Sequence, residues 1–228
     1  MKQKRILIPT DGPETWQRFL AEPEKHWQRG FSAMSTALSW ESAEGLPPEI
    51  RALFKDAYDP AMRDAALALA IPEYKVDLAG GTRPSQNDVF ALLSCSGGLI
   101  SMMVEGKARE DFDDLLDDWK NRTSEAGFKA RLTEITDNIG LTGPPPGDIR
   151  YQLLHRTASA VIEARRFHAK YAVVLIQSFV SNDAENHYND FCKFIRLFER
   201  TPTKELLMEL SRPHGRQLFA AWVQSTPR

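Results

Sequence analysis

Residues 88–107 predict a hydrophobic β-hairpin, and this segment fixes much of the architecture that the chain can adopt. Its two arms, 88–94 and 99–107, are mostly apolar, and the turn between them, 95–98, contains two glycines. A short glycine-containing loop between two such arms is a common hairpin connection. We therefore expect an antiparallel pair of strands near the middle of the chain.

The open end of this hairpin carries three charged side chains. If Ser94 faces Leu99 across the turn, antiparallel pairing places Asp88 opposite Glu105. Side chains two positions apart on a strand share a face, so Lys107 points the same way as Glu105. Like charges that face each other across a ladder are destabilising, and something should offset that cost. A divalent cation, which prefers oxygen ligands, is the natural candidate.

Composition narrows the class of protein. A chain of 228 residues is expected to form a single domain. Its formal net charge of −2 gives no overall positive field, so binding of nucleic acid would need a local basic patch. The two cysteines, Cys95 and Cys192, form no zinc-binding spacing, which suits a reducing compartment. The apolar stretch at 6–8 is too short for a signal peptide, and no run approaches the roughly 20 apolar residues of a membrane span. We expect a cytoplasmic protein with no membrane partner.

Periodicity and punctuation by glycine and proline predict the remaining elements. Ser32 and Asp148 are expected to cap the helices that follow them. The predicted helices span 14–21, 32–44, 48–55, 61–70, 110–120, 129–138, 149–167, 188–199 and 204–210. The predicted strands span 6–8, 74–78, the two hairpin arms, 172–176 and 218–223. The central order of helix, three strands, helix and strand is typical of a mixed α/β domain.

This order and the charged hairpin resemble the PD-(D/E)XK nuclease superfamily, which has the restriction-endonuclease-like fold. Its metal site uses an Asp at the start of the second core strand and an E-x-K motif on the third. Asp88 matches the first position, and Glu105 and Lys107 match the second. The resemblance covers a core of about 32–179, with an N-terminal decoration at 1–31 and a C-terminal extension at 180–228. A second likeness, to a bacterial family over 149–156, implies no function.

The nuclease resemblance implies an α-β-β-β-α-β core with a mixed central sheet flanked by helices. It implies a nuclease that uses Mg²⁺ or Mn²⁺ to hydrolyse phosphodiester bonds in nucleic acid, with DNA expected before RNA. Asp88 and Glu105 would be metal ligands, and Lys107 would orient the attacking water or stabilise developing charge. Many such folds act as dimers, so a homodimer is left open.

Two positions depart from the superfamily pattern. Asn87 stands where proline is usual, and Gly106 occupies the middle of the E-x-K motif. A glycine inside a strand often marks a bulge, which would turn Lys107 away from Glu105. Two alternatives therefore remain: a catalytically inactive scaffold that binds nucleic acid or a protein partner, and an interaction protein that presents tryptophans on a surface. Those tryptophans would be Trp27, Trp40 and Trp119.

Glu41 is the candidate for a third metal ligand. It lies seven residues after Met34, within the apolar stripe of the helix that begins near Ser32. A carboxylate on a buried side needs a partner. Nucleases of the superfamily often bring a Glu from this helix to the metal. The alternative is an ordinary surface glutamate.

The helix after Asp148 carries a polar stripe, and the loop before Asp88 is rich in hydrogen-bond donors. The resemblance implies that Gln152 joins the catalytic site, and Arg156 suits bidentate binding of phosphate. The stripe consists of Gln152, His155, Arg156, Ser159 and Glu163. The loop residues predicted to bind substrate are Arg83, Ser85 and Gln86. The alternatives are a solvated helix face and a plain polar connection.

Overall fold

The computed structural model describes residues 10–179 and 184–226, which form a six-stranded mixed sheet with helices on both faces. The α-helices are α1 (Pro23–His26), α2 (Ser32–Ser42), α3 (Pro48–Lys55), α4 (Leu116–Asn121), α5 (Glu125–Ile139), α6 (Tyr151–Arg166) and α7 (Ala184–Arg196). The strands are β1 (Ala66–Val76), β2 (Ser85–Cys95), β3 (Gly98–Lys107), β4 (Tyr171–Phe179), β5 (Met208–Ser211) and β6 (Gln217–Ser225). Short 3₁₀ helices cover Pro13–Phe19, Pro60–Met62 and Pro213–Gly215. No helix in these ranges is long and apolar enough to cross a membrane.

The sheet has the strand order β1-β2-β3-β4-β6-β5. Strands β1 to β3 form an antiparallel meander, β4 lies parallel to both β3 and β6, and β5 closes the far edge antiparallel to β6. Every residue of β4 is buried, as expected for a central parallel strand covered on both faces. The mixed α/β class is confirmed, and three helices, α4, α5 and α6, lie between the three-stranded meander and β4.

Two apolar clusters sandwich the sheet. On one face, Phe90, Met103 and Ile176 pack with residues of α5, α6 and α7. On the other face, Val89 and Val104 pack with residues of α2 and α3. Side chains of one strand alternate between the two clusters, so each functional side chain can be assigned to a face.

The predicted register of the hairpin is confirmed up to its charged end. Ser94 pairs with Leu99, and Val89 pairs with Val104. The turn is tighter than expected, because Cys95 pairs directly with a glycine at position 98. A Cβ atom at Gly97 would lie 2.4 Å from the Tyr171 hydroxyl, which explains the glycine there.

The helix predicted over 61–70 is wrong. Only Pro60–Met62 forms a helical turn, and β1 then pairs with β2 along its length. Alanine and leucine favour helix, but pairing and burial of Leu67 and Ala70 decide the structure here. Pro72 is tolerated because β1 is an edge strand.

Three further element predictions need correction, and one lies outside the described residues. Residues 204–210 are not a helix, since 208–211 form β5 against β6. The helix predicted over 110–120 is confined to α4, because the backbone around 114–116 is hydrogen-bonded to the start of α6. The N-cap positions of α2 and α6 are Phe31 and Arg150 rather than Ser32 and Asp148. The strand predicted over 6–8 lies outside the described ranges.

Gly106 does not form the expected bulge. Strand β3 pairs with β4 in unbroken register through Lys107. The glycine is instead required by packing, because a Cβ atom at Gly106 would lie 2.3 Å from Thr36 Oγ1 on α2. The absence of a side chain lets α2 approach the sheet beside the charged end of the hairpin.

Gly106→Ala should lower the free energy of unfolding by about 1–3 kcal/mol, because the added methyl group collides with Thr36. Adding Thr36→Ala should restore part of the loss, since it removes the hydroxyl that the methyl group meets. Urea denaturation of each variant measures both effects.

Gly143→Ala is the matched control, because nothing lies within 4 Å of a Cβ atom there. The entropy of the unfolded chain alone would make both substitutions stabilising, so an equal change at both glycines would show that contact with α2 does not set the requirement at Gly106.

Candidate active site

Glu105 is a buried carboxylate held between two cations. It is 3% exposed, and its Oε1 lies 2.9 Å from the Lys107 ammonium. Its Oε2 accepts a hydrogen bond of 2.6 Å from Arg156 Nε on α6. Burial alone would raise the pKa of Glu105, but the charges of Arg156 and Lys107 hold that pKa below its usual value. Glu105 is therefore ionised and fixed in place.

Lys107 is buried to the same extent, at 3% exposure. Its ammonium also lies 4.9 Å from the centre of the Phe112 ring and donates to the Asp111 carbonyl at 3.4 Å. The expectation that Glu105 and Lys107 share a face is confirmed by their contact. A lysine held by a carboxylate, a carbonyl and an aromatic ring has a defined position.

Asp88 lies beside this pair near the start of β2, the first strand of the hairpin. Its Oδ2 accepts a hydrogen bond of 2.8 Å from the backbone N–H of Gly106. Burial, followed by the nearby charges of Glu105 and Glu73, raises the pKa of Asp88 well above its usual value. The two carboxylates predicted as metal ligands are therefore close enough to interact strongly.

Glu73 is a third carboxylate of the site, and sequence reasoning missed it. Its Oε2 accepts a hydrogen bond of 2.7 Å from Gln86 Nε2. Burial raises the pKa of Glu73 to about 7, against the opposing influence of Gln86 and Arg156. The predicted strand began at Tyr74, one residue too late to place Glu73 in the sheet.

The backbone is irregular where Glu73 and Asp88 lie. Ile71 and Tyr74 pack against the same apolar cluster although they are three residues apart, and Glu73 between them has φ of 51°. Pro72 pairs with Val89 and Tyr74 pairs with Asn87, but Glu73 and Asp88 between them are not paired in the β1–β2 ladder. Irregularities of this kind redirect side chains and are frequent next to active sites.

The site contains more negative than positive groups. Three carboxylates, of Glu73, Asp88 and Glu105, interact with two cations, of Lys107 and Arg156. Full ionisation would leave a surplus of one negative charge. Glu105 has the close cation contacts, so burial raises the pKa values of the other two carboxylates, and the negative charge of Glu105 adds to that rise.

The polar stripe of α6 faces the sheet. His155, Arg156, Ser159 and Glu163 are buried, so the alternative of a solvated face is wrong. Arg156 Nη1 donates to Ser85 Oγ at 3.2 Å, and Ser85 Oγ lies 2.8 Å from His155 Nδ1. Burial and the charge of Arg156 lower the pKa of His155 well below its usual value, so the ring is neutral.

A cavity of about 560 Å³ lies on this side of the sheet. Arg156 connects it to the carboxylates, since the same guanidinium lines the cavity and binds Glu105. Five side chains predicted for catalysis or substrate binding line it together: Arg83, Ser85, Gln86, Gln152 and Arg156. Asp88, Glu105 and Lys107 lie beside this cavity rather than in its lining.

Glu41 lies elsewhere. Its Oε1 accepts a hydrogen bond of 2.8 Å from Trp16 Nε1, and α2 packs on the sheet face opposite to that of Glu105. Helical periodicity predicted Glu41 on the buried side of α2, where a carboxylate needs a partner. In the structure this partner is the Trp16 indole. The structure therefore does not bring Glu41 to Asp88 and Glu105.

Residues 10–179 and 184–226 contain no group of three or more His, Cys, Asp or Glu side chains arranged to hold a metal ion. What they offer is a pair of carboxylates, Asp88 and Glu105, in a region with surplus negative charge. Carboxylate oxygen is the donor that Mg²⁺ and Mn²⁺ prefer, and these ions often keep several waters while binding one or two carboxylates. The donor chemistry therefore fits such an ion.

A family model described as "Domain of unknown function (DUF6946)" matches residues 9–227. The chain belongs to this family. No curated protein and no solved structure matches the chain. The DUF6946 match spans the whole described sheet and every residue of the candidate site.

The pKa of Glu73 predicts a pH dependence of stability for this DUF6946 protein. The folded-state pKa of about 7 lies above the unfolded value of 4.5, so the folded state binds the proton more tightly. The contribution of Glu73 is most favourable below about pH 4.5 and is lost as pH rises toward 7. In EDTA, Glu73→Gln should raise the free energy of unfolding at pH 8 by on the order of 2 kcal/mol, and by less at pH 5.

Denaturation at the two pH values measures this difference. Glu185→Gln, at an exposed position of α7, is the control and should follow the wild type. A Glu73→Gln variant that is less stable than the wild type at pH 8 would contradict the raised pKa assigned to Glu73.

Proposed function

We propose that this protein is a metal-dependent nuclease that hydrolyses phosphodiester bonds at Asp88, Glu105 and Lys107. The observation that carries the proposal is the convergence of these three residues at one end of the hairpin. The order of helix, three-stranded meander, helices and strand supports a restriction-endonuclease-like core. Sequence spacing alone does not require this convergence.

Asp88 and Glu105 are the residues that would hold Mg²⁺ or Mn²⁺. Such an ion, when bound, polarises the phosphoryl group and lowers the pKa of a bound water. The surplus carboxylate charge supports this assignment, because a cation neutralises what protons otherwise neutralise.

Lys107 is positioned for the remaining chemistry. Its contacts with Glu105, Asp111 and Phe112 fix the ammonium beside the carboxylates. A fixed cation there stabilises charge that develops on a phosphoryl oxygen, or it orients the attacking water. Arg156 contributes positive charge between the carboxylates and the cavity.

A second candidate function is that of an inactive scaffold that binds nucleic acid or a protein. One observation favours it: both oxygens of Glu105 are already bound by cations, Lys107 on one side and Arg156 on the other. In this alternative, the ion pairs have a structural role and the neighbouring cavity retains the binding function.

The third sequence-based alternative, a surface that presents tryptophans, is weakened by the packing of two of them. Trp40 is 2% exposed and donates to Gln177 Oε1 at 3.1 Å. Trp119 is half-buried and packs against Tyr151 and Phe128. These side chains do not form a common exposed patch.

The test is cleavage of labelled single- and double-stranded DNA and RNA in Mg²⁺ or Mn²⁺. Lys107→Met keeps the length and apolar stem of the side chain and should reduce the cleavage rate on the order of 10²–10³-fold. Asp88→Asn and EDTA should also abolish most cleavage.

Lys193→Met is the matched control, because Lys193 forms an exposed ion pair with Asp148 and neither residue lines the cavity. Cleavage that survives in Lys107→Met or in EDTA would contradict the assigned chemistry. A folded wild type that cleaves none of the substrates would instead favour the inactive scaffold.

A further inference from the structure

The cavity beside the carboxylates is large enough to hold a small ligand. Its volume of about 560 Å³ falls within the roughly 300–1,000 Å³ that is usual for ligand sites. Residues 80–86 form one wall, and residues of α6 and of the segment 113–123 around α4 form much of the rest. The cavity is therefore a separate compartment adjoining the proposed metal site.

Arg131 makes this wall rigid. Its guanidinium donates to three backbone carbonyls, of Leu78 at 3.1 Å, Ala79 at 2.7 Å and Arg83 at 2.9 Å. It also donates to the Tyr151 hydroxyl at 3.3 Å. One buried side chain thus ties the loop to α6, and a preformed wall lowers the entropy cost of binding.

The loop also packs tightly against α5. Gly80 has φ of 76°, and a Cβ atom there would lie 2.1 Å from the Gly127 carbonyl oxygen. Only glycine fits that conformation and that contact together. The wall of the cavity is therefore fixed at Gly80 as well as at Arg131.

The lining of the cavity is positively charged. Four arginines line it against two aspartates, and the neutral His155 adds no charge. Arg83 is exposed, and its side chain has no hydrogen-bond or ion-pair partner in the part of the chain that the structure describes. The arginines are Arg83, Arg122, Arg131 and Arg156, and the aspartates are Asp113 and Asp114. Arg122 is paired with Asp114 and Arg156 with Glu105, so an anion must be held mainly by Arg83, whose guanidinium fork is unpaired within the described residues and suits phosphate.

A stacked pair of aromatic rings adjoins these arginines. Trp119 and Tyr151 both line the cavity and stack on each other, with ring centres 4.0 Å apart and planes 4° apart. Gln152 lies next to them and accepts a hydrogen bond from the backbone N–H of Asp113, which leaves its amide N–H groups as donors. Aromatic rings beside guanidinium groups are the surfaces on which proteins stack unpaired bases.

We infer that this cavity binds one unpaired nucleotide of a nucleic-acid strand, with its phosphate at Arg83 and Arg156 and its base against Trp119. The inference deepens the proposed function and rests on it for the connection with cleavage. A nucleotide within a duplex is stacked and paired, so it must leave the duplex to enter such a cavity. The substrate class is therefore single-stranded nucleic acid, or a strand end or displaced nucleotide.

Calorimetric titration in EDTA tests the cavity separately from catalysis. The probes are AMP, adenosine and inorganic phosphate. AMP should bind at least about tenfold more tightly than either fragment, because only AMP uses both the arginines and the aromatic surface. Arg83→Gln should weaken AMP binding about tenfold, because it removes a proposed phosphate contact, and the side chain is exposed enough for the variant to fold.

Arg196→Gln is the matched control, since Arg196 is an exposed arginine on α7 that does not line the cavity. Equal affinity for AMP and inorganic phosphate would overturn the nucleotide assignment and leave an anion site. Absence of AMP binding, or equal binding by Arg83→Gln and the wild type, would overturn the inference altogether.

Fluorescence anisotropy in EDTA tests the strand preference. A labelled single-stranded oligonucleotide should bind at least about tenfold more tightly than the blunt duplex of the same sequence, because stacking on aromatic side chains requires unpaired bases. Lys107→Met should retain this preference, so loss of cleavage without loss of binding separates the proposed function from the cavity. Tighter binding of the duplex would contradict the inference.

Discussion

The ion-pair arrangement of Glu105 with Lys107 and Arg156 is the interaction on which the rest of the site depends. A carboxylate this deeply buried is tolerable only with close cations, and loss of one partner typically costs about 3–5 kcal/mol. Lys107 comes from the same strand, whereas Arg156 comes from α6 and must be delivered by packing of that helix on the sheet. The contact therefore couples the charged end of the hairpin to the helix that carries the cavity wall.

The same arrangement bears on the protonation of the other two carboxylates, Asp88 and Glu73. Because Glu105 has the two cations as its immediate neighbours, Asp88 and Glu73 share the uncompensated negative charge, and burial makes that charge more costly. The folded protein can satisfy them with protons or with an external cation. The pH dependence of stability and the protonation of Asp88 and Glu73 thus share one cause, and the proposed binding of a metal ion would share it as well.

The sequence predicted best what depends on local pattern. Alternation and a glycine turn were enough for the register from Ser94–Leu99 to Val89–Val104. Helical spacing grouped Arg156 in a polar stripe, but did not predict its contact with Glu105 on the hairpin. Glu73 was missed because the Ala- and Leu-rich stretch before it favours helix locally, while pairing with β2 makes it a strand. Glycine is required at position 106 because α2 packs closely against β3. That contact joins segments that are distant in the sequence, so no local pattern predicts it.

Calorimetric titration of Mn²⁺ at about pH 6.5, in two buffers of different ionisation enthalpy, tests whether the buried carboxylates exchange protons for a metal ion. The account predicts one Mn²⁺ bound per chain with release of protons, because Asp88 and Glu73 give up protons when a cation supplies the missing charge. Asp88→Asn should lose this binding. Absence of Mn²⁺ binding, or binding that releases no protons and survives Asp88→Asn, would contradict the account.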